Sequence, residues 1–163
     1  MTQLQQAAVN LSSSSPQATI ATLPLVAIKT ADETVNSAGS GSTLQDDDDL
    51  KLALGADETW DIILTLRYTS EATPAIKVAI VVPSGANFDG VGTVRGASGQ
   101  RMVEAASAGP FGGTGQDETI IIMGTVRMGA TAGDVQLQWA QNTADAADTS
   151  VLIGSSIRGW RSG

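Results

Sequence analysis

The chain has 163 residues, enough for one domain and an additional segment, and it contains neither cysteine nor histidine. These absences exclude disulfides, thiolate zinc sites and every catalytic arrangement that depends on an imidazole or a thiol. Its 17 acidic residues outnumber its 9 basic ones, which gives a formal net charge of -8. We expect no nucleic-acid partner, because binding to a phosphate backbone requires a basic surface.

The first 27 residues carry no charged side chain and contain a run of four serines followed by Pro16. They lack the pattern of a signal peptide, and no apolar run approaches the roughly 20 residues of a membrane-spanning helix, so no membrane partner is expected. Two interpretations stay open: a disordered tail, or an extended arm that orders only against a neighbouring subunit. We take residues 1–27 as an extended N-terminal arm and residues 28–163 as a single β domain. The expected apolar anchors of the arm are Leu4, Val9, Leu11, Ile20 and Leu23.

Four consecutive aspartates, Asp46, Asp47, Asp48 and Asp49, precede an alternating stretch that begins at Leu50. A calcium loop needs convergent oxygen ligands, and the run lacks a glycine where the EF-hand pattern requires one. We therefore expect a solvated, charge-repelling entry to a strand, and the four carboxylates are only a weak candidate for a metal site. No cofactor is expected.

Alternation of apolar and polar residues with period two, typical of half-buried strands, dominates from Leu50 onward. Its clearest examples are residues 60–68 and 76–82, and the short turn between them predicts a β-hairpin. About eight such segments and no amphipathic helix predict an all-β fold, an antiparallel β-sandwich or a jelly-roll-like barrel. The side chains expected in its core include Ile62, Leu64, Leu66, Val78, Ile80, Ile122, Leu137 and Trp139.

In the glycine-rich stretch over residues 87–115, Val91–Arg95 and Arg101–Val103 are candidate short strands, and the remainder is expected to form long surface loops, which often carry function. Its segment Gly90–Gly96 resembles a dinucleotide-binding loop only superficially, because the third glycine is one place late. Nothing in the sequence brings Asp57, Glu58 and Glu71 together as paired carboxylates, and no histidine is present to activate a serine. We therefore expect that the protein is not an enzyme.

Arginine and tryptophan are enriched at protein interfaces. Two arginines and one tryptophan lie close together in the sequence near the C-terminus. Trp60 and Trp139 fall on faces that the alternation predicts to be buried. Two interpretations stay open for Trp160: a plug at the edge of the core, or an anchor between subunits. Arg158 and Arg161 are either surface arginines paired with acidic residues of neighbouring strands or contacts of an interface.

An ordered set of short segments resembles a small β-rich structural module of tailed bacteriophages. That module occurs in capsid decoration proteins and in tail-associated or fibre-associated proteins, and the resemblance covers about residues 25–160. It implies an all-β virion protein and transfers no catalytic residues. The segments that carry it are Lys29–Val35, Ser42–Leu50, Ala56–Trp60, Val82–Ala86, Gly124–Val126, Gly129–Gly133 and Leu137–Asn142.

The residues and the resemblance together predict a capsid decoration (cement) protein that bridges major capsid protein subunits on the outer surface of the assembled head. We expect a homotrimer that is made in the host cytoplasm and incorporated into the virion. The alternative is a tail or fibre protein that binds host glycans or another tail component. The glycine-rich loops would then recognise the glycan, although Phe88 and Phe111 are the only aromatic residues there.

Overall fold

The computed structural model describes residues 23–36, 42–94, 100–102 and 109–163. Every regular element within these ranges is a β-strand. The described residues contain no helix that could cross a bilayer. The strands are β1 (Leu25–Ile28), β2 (Glu33–Val35), β3 (Gln45–Leu54), β4 (Thr59–Ser70), β5 (Ile76–Val81), β6 (Asn87–Val94), β7 (Gln100–Met102), β8 (Gly109–Phe111), β9 (Glu118–Arg127), β10 (Gly133–Gln141), β11 (Thr149–Val151) and β12 (Ser156–Arg161).

The strands form two antiparallel sheets that pack as a sandwich, which confirms the predicted fold class. The larger sheet has the order β1-β12-β4-β9-β6-β7, and the short strands β11 and β2 extend it beside the far end of β4. The smaller sheet has the order β3-β10-β5-β8. Strand β4 is long enough to pair with β12 along one half of its length and with β11 along the other.

The predicted hairpin of residues 60–68 and 76–82 is wrong. Strand β4 lies in the larger sheet and pairs with β9, β11 and β12, whereas β5 lies in the smaller sheet and pairs with β10 and β8. The turn between them, in which the Ala75 N–H donates to the Glu71 carbonyl oxygen at 3.1 Å, carries the chain across the sandwich. Period-two alternation identifies the buried face of a strand but not its partner, and a short turn spans the roughly 10 Å between packed sheets.

The core between the sheets consists of the alternate residues that the sequence pattern predicts. On β4, Trp60 and Tyr68 begin and end an inward-facing row that is at most 7% exposed at every position. All eight side chains predicted for the core are at most 1% exposed. Trp60 and Trp139 are both buried, as expected. The alternation of apolar and polar residues in the sequence therefore identifies which side chains of each strand face the core.

The N-terminal boundary and part of the glycine-rich stretch differ from expectation. Strand β1 begins at Leu25, so the boundary proposed at residue 27 falls inside a strand of the larger sheet. The glycine-rich stretch contributes β6 and β7, which overlap the two short strands expected there, and β8, which lies where a loop was expected. Gly90 and Gly124 pair across β6 and β9 beside the Phe88 ring, where an added Cβ on either would lie within 3 Å of neighbouring atoms. Glycine is required at this close approach.

Leu64 lies at the centre of β4 and is fully buried, so its truncation tests the packing of the core. We expect Leu64→Ala to lower the free energy of unfolding by about 2–5 kcal/mol, because it removes buried methyl groups and leaves a cavity. Thr119→Ala, at an exposed position of the neighbouring β9, should change it by less than about 0.5 kcal/mol. Chemical denaturation followed by circular dichroism measures both. Equal effects of the two substitutions would contradict this core.

Candidate interaction surface

The acidic run forms a large bulge within β3 and does not form a cluster of ligands. Gln136 of β10 pairs with Lys51 and Gln138 pairs with Asp46, so residues 47–50 lie opposite Leu137 alone. Oδ1 of Asp47 accepts the backbone N–H groups of Asp49 at 3.1 Å and Leu50 at 2.9 Å, which closes the bulge.

The four carboxylates point in different directions. Asp47 is fully buried, whereas Asp46 and Asp48 are exposed. Asp49 accepts hydrogen bonds from the backbone N–H and the hydroxyl of Thr30, and the N–H bond lowers the pKa of Asp49. Within the part of the chain that the structure describes, no group of three acidic side chains is arranged to hold a metal ion.

The buried carboxylate of Asp47 instead binds a cation of the protein itself. Its Oδ2 lies 2.9 Å from Nζ of Lys29, which also contacts Glu33 Oε2 at 2.8 Å. Lys29 is only 2% exposed. Burial opposes the charge of Lys29, but its hydrogen bonds to Glu33 and Asp47 outweigh that effect and raise the pKa of the ammonium above its ordinary value. Gln45 completes the cluster by donating to Glu33 Oε1 at 2.9 Å.

This cluster fixes the chain that follows β1. The Lys29 N–H donates to the Ser155 carbonyl at 2.8 Å, and the Gly154 N–H donates to the Lys29 carbonyl at 3.0 Å. Farther on, Asp32 accepts the N–H of Ile153 at 2.7 Å. The segment between β1 and β2 is thus held to β3 by its charges and to the β11–β12 turn by its backbone.

The outer face of the larger sheet, away from the core, is unusually apolar. A row that crosses five strands aligns Val26, Arg158, Ile63, Met123 and Val91. Val26 is 48% exposed, Met123 47% and Val91 39%. The adjacent row contains two more exposed aliphatic side chains, Ile28 and Ile121, among Ser156, Thr65 and Thr93.

We call the apolar outer face the patch formed by Val26, Ile28, Ile63, Val91, Ile121, Met123 and Trp160. The outward-facing positions of the smaller sheet differ in character, because they include Lys51, Lys77, Asp134, Gln136 and Gln138. A single exposed aliphatic side chain needs no explanation, but a contiguous apolar patch on one face marks an interaction site.

Of the interface residues predicted near the C-terminus, Trp160 belongs to this patch and Arg158 lies within its central row. Arg158 is exposed within the central row, and Trp160 is 38% exposed on the same face. The Arg161 guanidinium lies 3.0 Å from Oε1 of Glu58, so part of its charge is already paired. Hydrogen bonds from Trp60 Nε1 and the Gly55 N–H, together with the Arg161 charge, lower the pKa of Glu58.

Leu23 is 88% exposed at the start of the described chain, next to β1. The other four anchors proposed for the arm, Leu4, Val9, Leu11 and Ile20, lie outside the described residues.

Sequence reasoning missed the centre of the patch, namely Ile63, Val91, Ile121 and Met123. A signal for three of them was present, because residues 62–64 and 120–123 are uninterrupted apolar runs within strands. Such runs indicate a strand with two apolar faces, one of which is then left over for a partner.

No family model and no curated protein matches this chain. Two solved structures show weak similarity. A chain in the structure of infectious bursal disease virus, Gt strain, is 12% identical, with a TM-score of 0.27 over 87% of this chain and 42% of that one. For the Gx strain the identity is 13% and the TM-score 0.26, over 86% and 42% of the two chains. This chain thus spans less than half the length of either. These scores are below those that indicate a shared fold, so they assign neither fold nor function.

Removing the charge of Lys29 tests the buried ion cluster. We expect Lys29→Met to lower the free energy of unfolding by about 3–5 kcal/mol, because it leaves the Asp47 carboxylate buried without a cation. Lys51→Met, at an exposed position on β3, should change it by less than about 0.5 kcal/mol. The double substitution Lys29→Met with Asp47→Asn should recover part of the loss, because the amide oxygen still accepts the bulge N–H groups. A double variant no more stable than Lys29→Met alone would contradict this account.

The raised pKa of Lys29 also predicts a loss of stability in alkali. The contribution is fully present below the unfolded-state pKa of about 10.4 and disappears as the pH rises through the higher pKa of the folded state. The pKa of Tyr68 is also raised, in this case mainly by burial, which causes a decline of stability in the same pH range. The measurement is therefore made in a Tyr68→Phe background, as urea denaturation between pH 8 and 12. We expect the decline to remain in that background and to shrink when Lys29→Met is added.

Proposed function

We propose that this protein is a structural component of a bacteriophage virion, a decoration protein that binds the outer surface of the assembled head. The observation that carries the proposal is the apolar outer face of the larger sheet, which offers aliphatic side chains, a methionine, a tryptophan and Arg158 on one side of a sandwich. Methionine, tryptophan and arginine are enriched at protein interfaces, and a contiguous exposed apolar patch is itself typical of an interaction site. The proposed partner is the major capsid protein.

The mechanism is burial of this patch on a surface that exists only in the assembled shell. A molecule that binds the assembled state and not the separate subunits stabilises the assembled state by mass action. Contact with two neighbouring capsid subunits at once bridges them. The four strands β12, β4, β9 and β6, with β1 at their side, span roughly 20 Å at about 4.8 Å per strand, which is wide enough to cross a seam between subunits.

The charges of the molecule agree with this role. Its formal net charge of -8 disfavours contact with packaged nucleic acid and suits an outward-facing position. The proposal contains no catalytic step and no cofactor. Homotrimeric assembly belongs to the proposal, because a closed ring of copies presents several equivalent patches to a symmetric shell.

A glycan-binding tail or fibre protein is less well supported. Sugar binding would use exposed aromatic rings in the glycine-rich stretch, but Phe88 is fully buried and Phe111 is 3% exposed. Both rings pack in the core between the sheets. The aromatic side chain that is exposed, Trp160, belongs to the apolar outer face instead.

Met123 lies in the middle of the patch, so a charge introduced there tests the proposed contact. We expect Met123→Glu to weaken co-sedimentation with heads, assembled from the major capsid protein of the same genome, by about 10-fold or more, because burying an unpaired carboxylate is costly. Ala132→Glu makes the same change of charge at an exposed position in the β9–β10 turn and should leave binding unchanged. Equal binding by both variants would contradict attachment through this face. Cryo-electron microscopy that places the protein on the tail would contradict the head assignment.

A further inference from the structure

Strand β1 presents a free backbone edge at one side of the larger sheet. Its pairing with β12 places the backbone groups of Leu25, Ala27 and Lys29 toward β12, since the Lys29 N–H donates to Ser155. The alternation of an antiparallel ladder then directs the N–H and C=O groups of Val26 and Ile28 away from the sheet. No strand within the described ranges lies beside them.

This edge is short and follows Pro24, but it lacks the charged side chains and bulges that usually protect an edge. Natural edge strands carry lysines, prolines or bulges that prevent pairing with another chain. The one lysine next to β1, Lys29, is buried and bound to Asp47 and Glu33. The side chains along the edge are Val26, which is 48% exposed, and Ile28, which is 54% exposed. The edge is thus apolar, uncharged and open to an added strand.

The sequence supplies a matching strand. Residues 1–22 carry no charged side chain, include four aliphatic anchors and join β1 directly through Leu23 and Pro24. Fully extended, 22 residues reach roughly 70 Å, several times the width of the sheet. An uncharged segment can lie along Val26 and Ile28 without burying a charge.

We propose that the N-terminal segment of a second copy of this chain adds as a strand to the free edge of β1. The same segment of one chain fits its own edge poorly. If it reversed at the breaker formed by residues 12–16, Leu11 would pair with Gln17 and Leu4 with Pro24, so these aliphatic side chains would lie opposite residues that precede β1 and not opposite its edge. A segment from another copy has no such restriction, and its apolar side chains add to the exposed row.

In such an assembly every copy donates one segment and receives one. A closed ring satisfies all edges, because the contact is heterologous and the rotation returns to the first copy. This contact gives the homo-oligomer of the proposed function its physical basis, but it does not depend on attachment to heads.

A proline at the edge tests the proposal with little disturbance of the sheet. Ile28→Pro removes an N–H that points away from β12, so the β1–β12 ladder remains. We expect the full chain to sediment as an oligomer in analytical ultracentrifugation and Ile28→Pro to weaken self-association by about 10-fold or more. The control Ile28→Thr retains the N–H, so its self-association should be closer in strength to that of the unaltered chain. A circular dichroism melt verifies folding, and Val26→Pro serves as the second variant.

Proteolysis of the same samples identifies the donor of the strand. The first lysine or arginine is Lys29, so elastase is the suitable protease for residues 1–22. The proposal expects protection in the oligomer and rapid cleavage in Ile28→Pro. A monomeric full chain overturns the proposal, whether residues 1–22 are cleaved or are protected by β1 of the same chain. An oligomer that neither Ile28→Pro nor Val26→Pro weakens also overturns it. Failure to bind heads by a chain that oligomerises contradicts only the proposed function.

Discussion

The ion pair between Lys29 and Asp47 joins the end of β1 in one sheet to the bulge of β3 in the other. Lys29 is 2% exposed and Asp47 0%, and at this burial either charge without the other would be strongly destabilising. The path of the chain after β1 and the shape of the β3 bulge therefore depend on each other. Because Lys29 turns inward, its charge is bound to Asp47 and Glu33, and the exposed side chains of β1 are those of Val26 and Ile28.

The central strands of the larger sheet carry two apolar surfaces. On β4 and β9 one set of alternate residues forms the core, and Ile63, Ile121 and Met123 on the other set face outward. An antiparallel sheet that is covered on one side only normally has polar residues on the other. Pairs such as Ile63 with Met123 stabilise the sheet across its strands, and their outward exposure is what the proposed attachment would cover.

The core could be predicted from the sequence because burial alternates along a strand, and residues such as Leu64 and Leu137 follow that rule. The pairing of strands could not, since β4 and β5 show the same period whether they share a sheet or face each other across a core. Lys29 was missed because lysine is rarely buried, and its partner lies in a bulge that interrupts the alternation. Trp160 and Arg158 were identified by residue type, whereas Ile63 required attention to consecutive apolar residues.

The position of β12 between β1 and β4 has a consequence for biosynthesis. On the ribosome, β1 emerges more than a hundred residues before the strand that separates it from β4. Until residues 156–161 are made, one edge of β4 stays open and β1 has no neighbour in its own sheet. The larger sheet therefore closes only late in translation, and its many contacts between distant residues are typical of slowly folding β proteins.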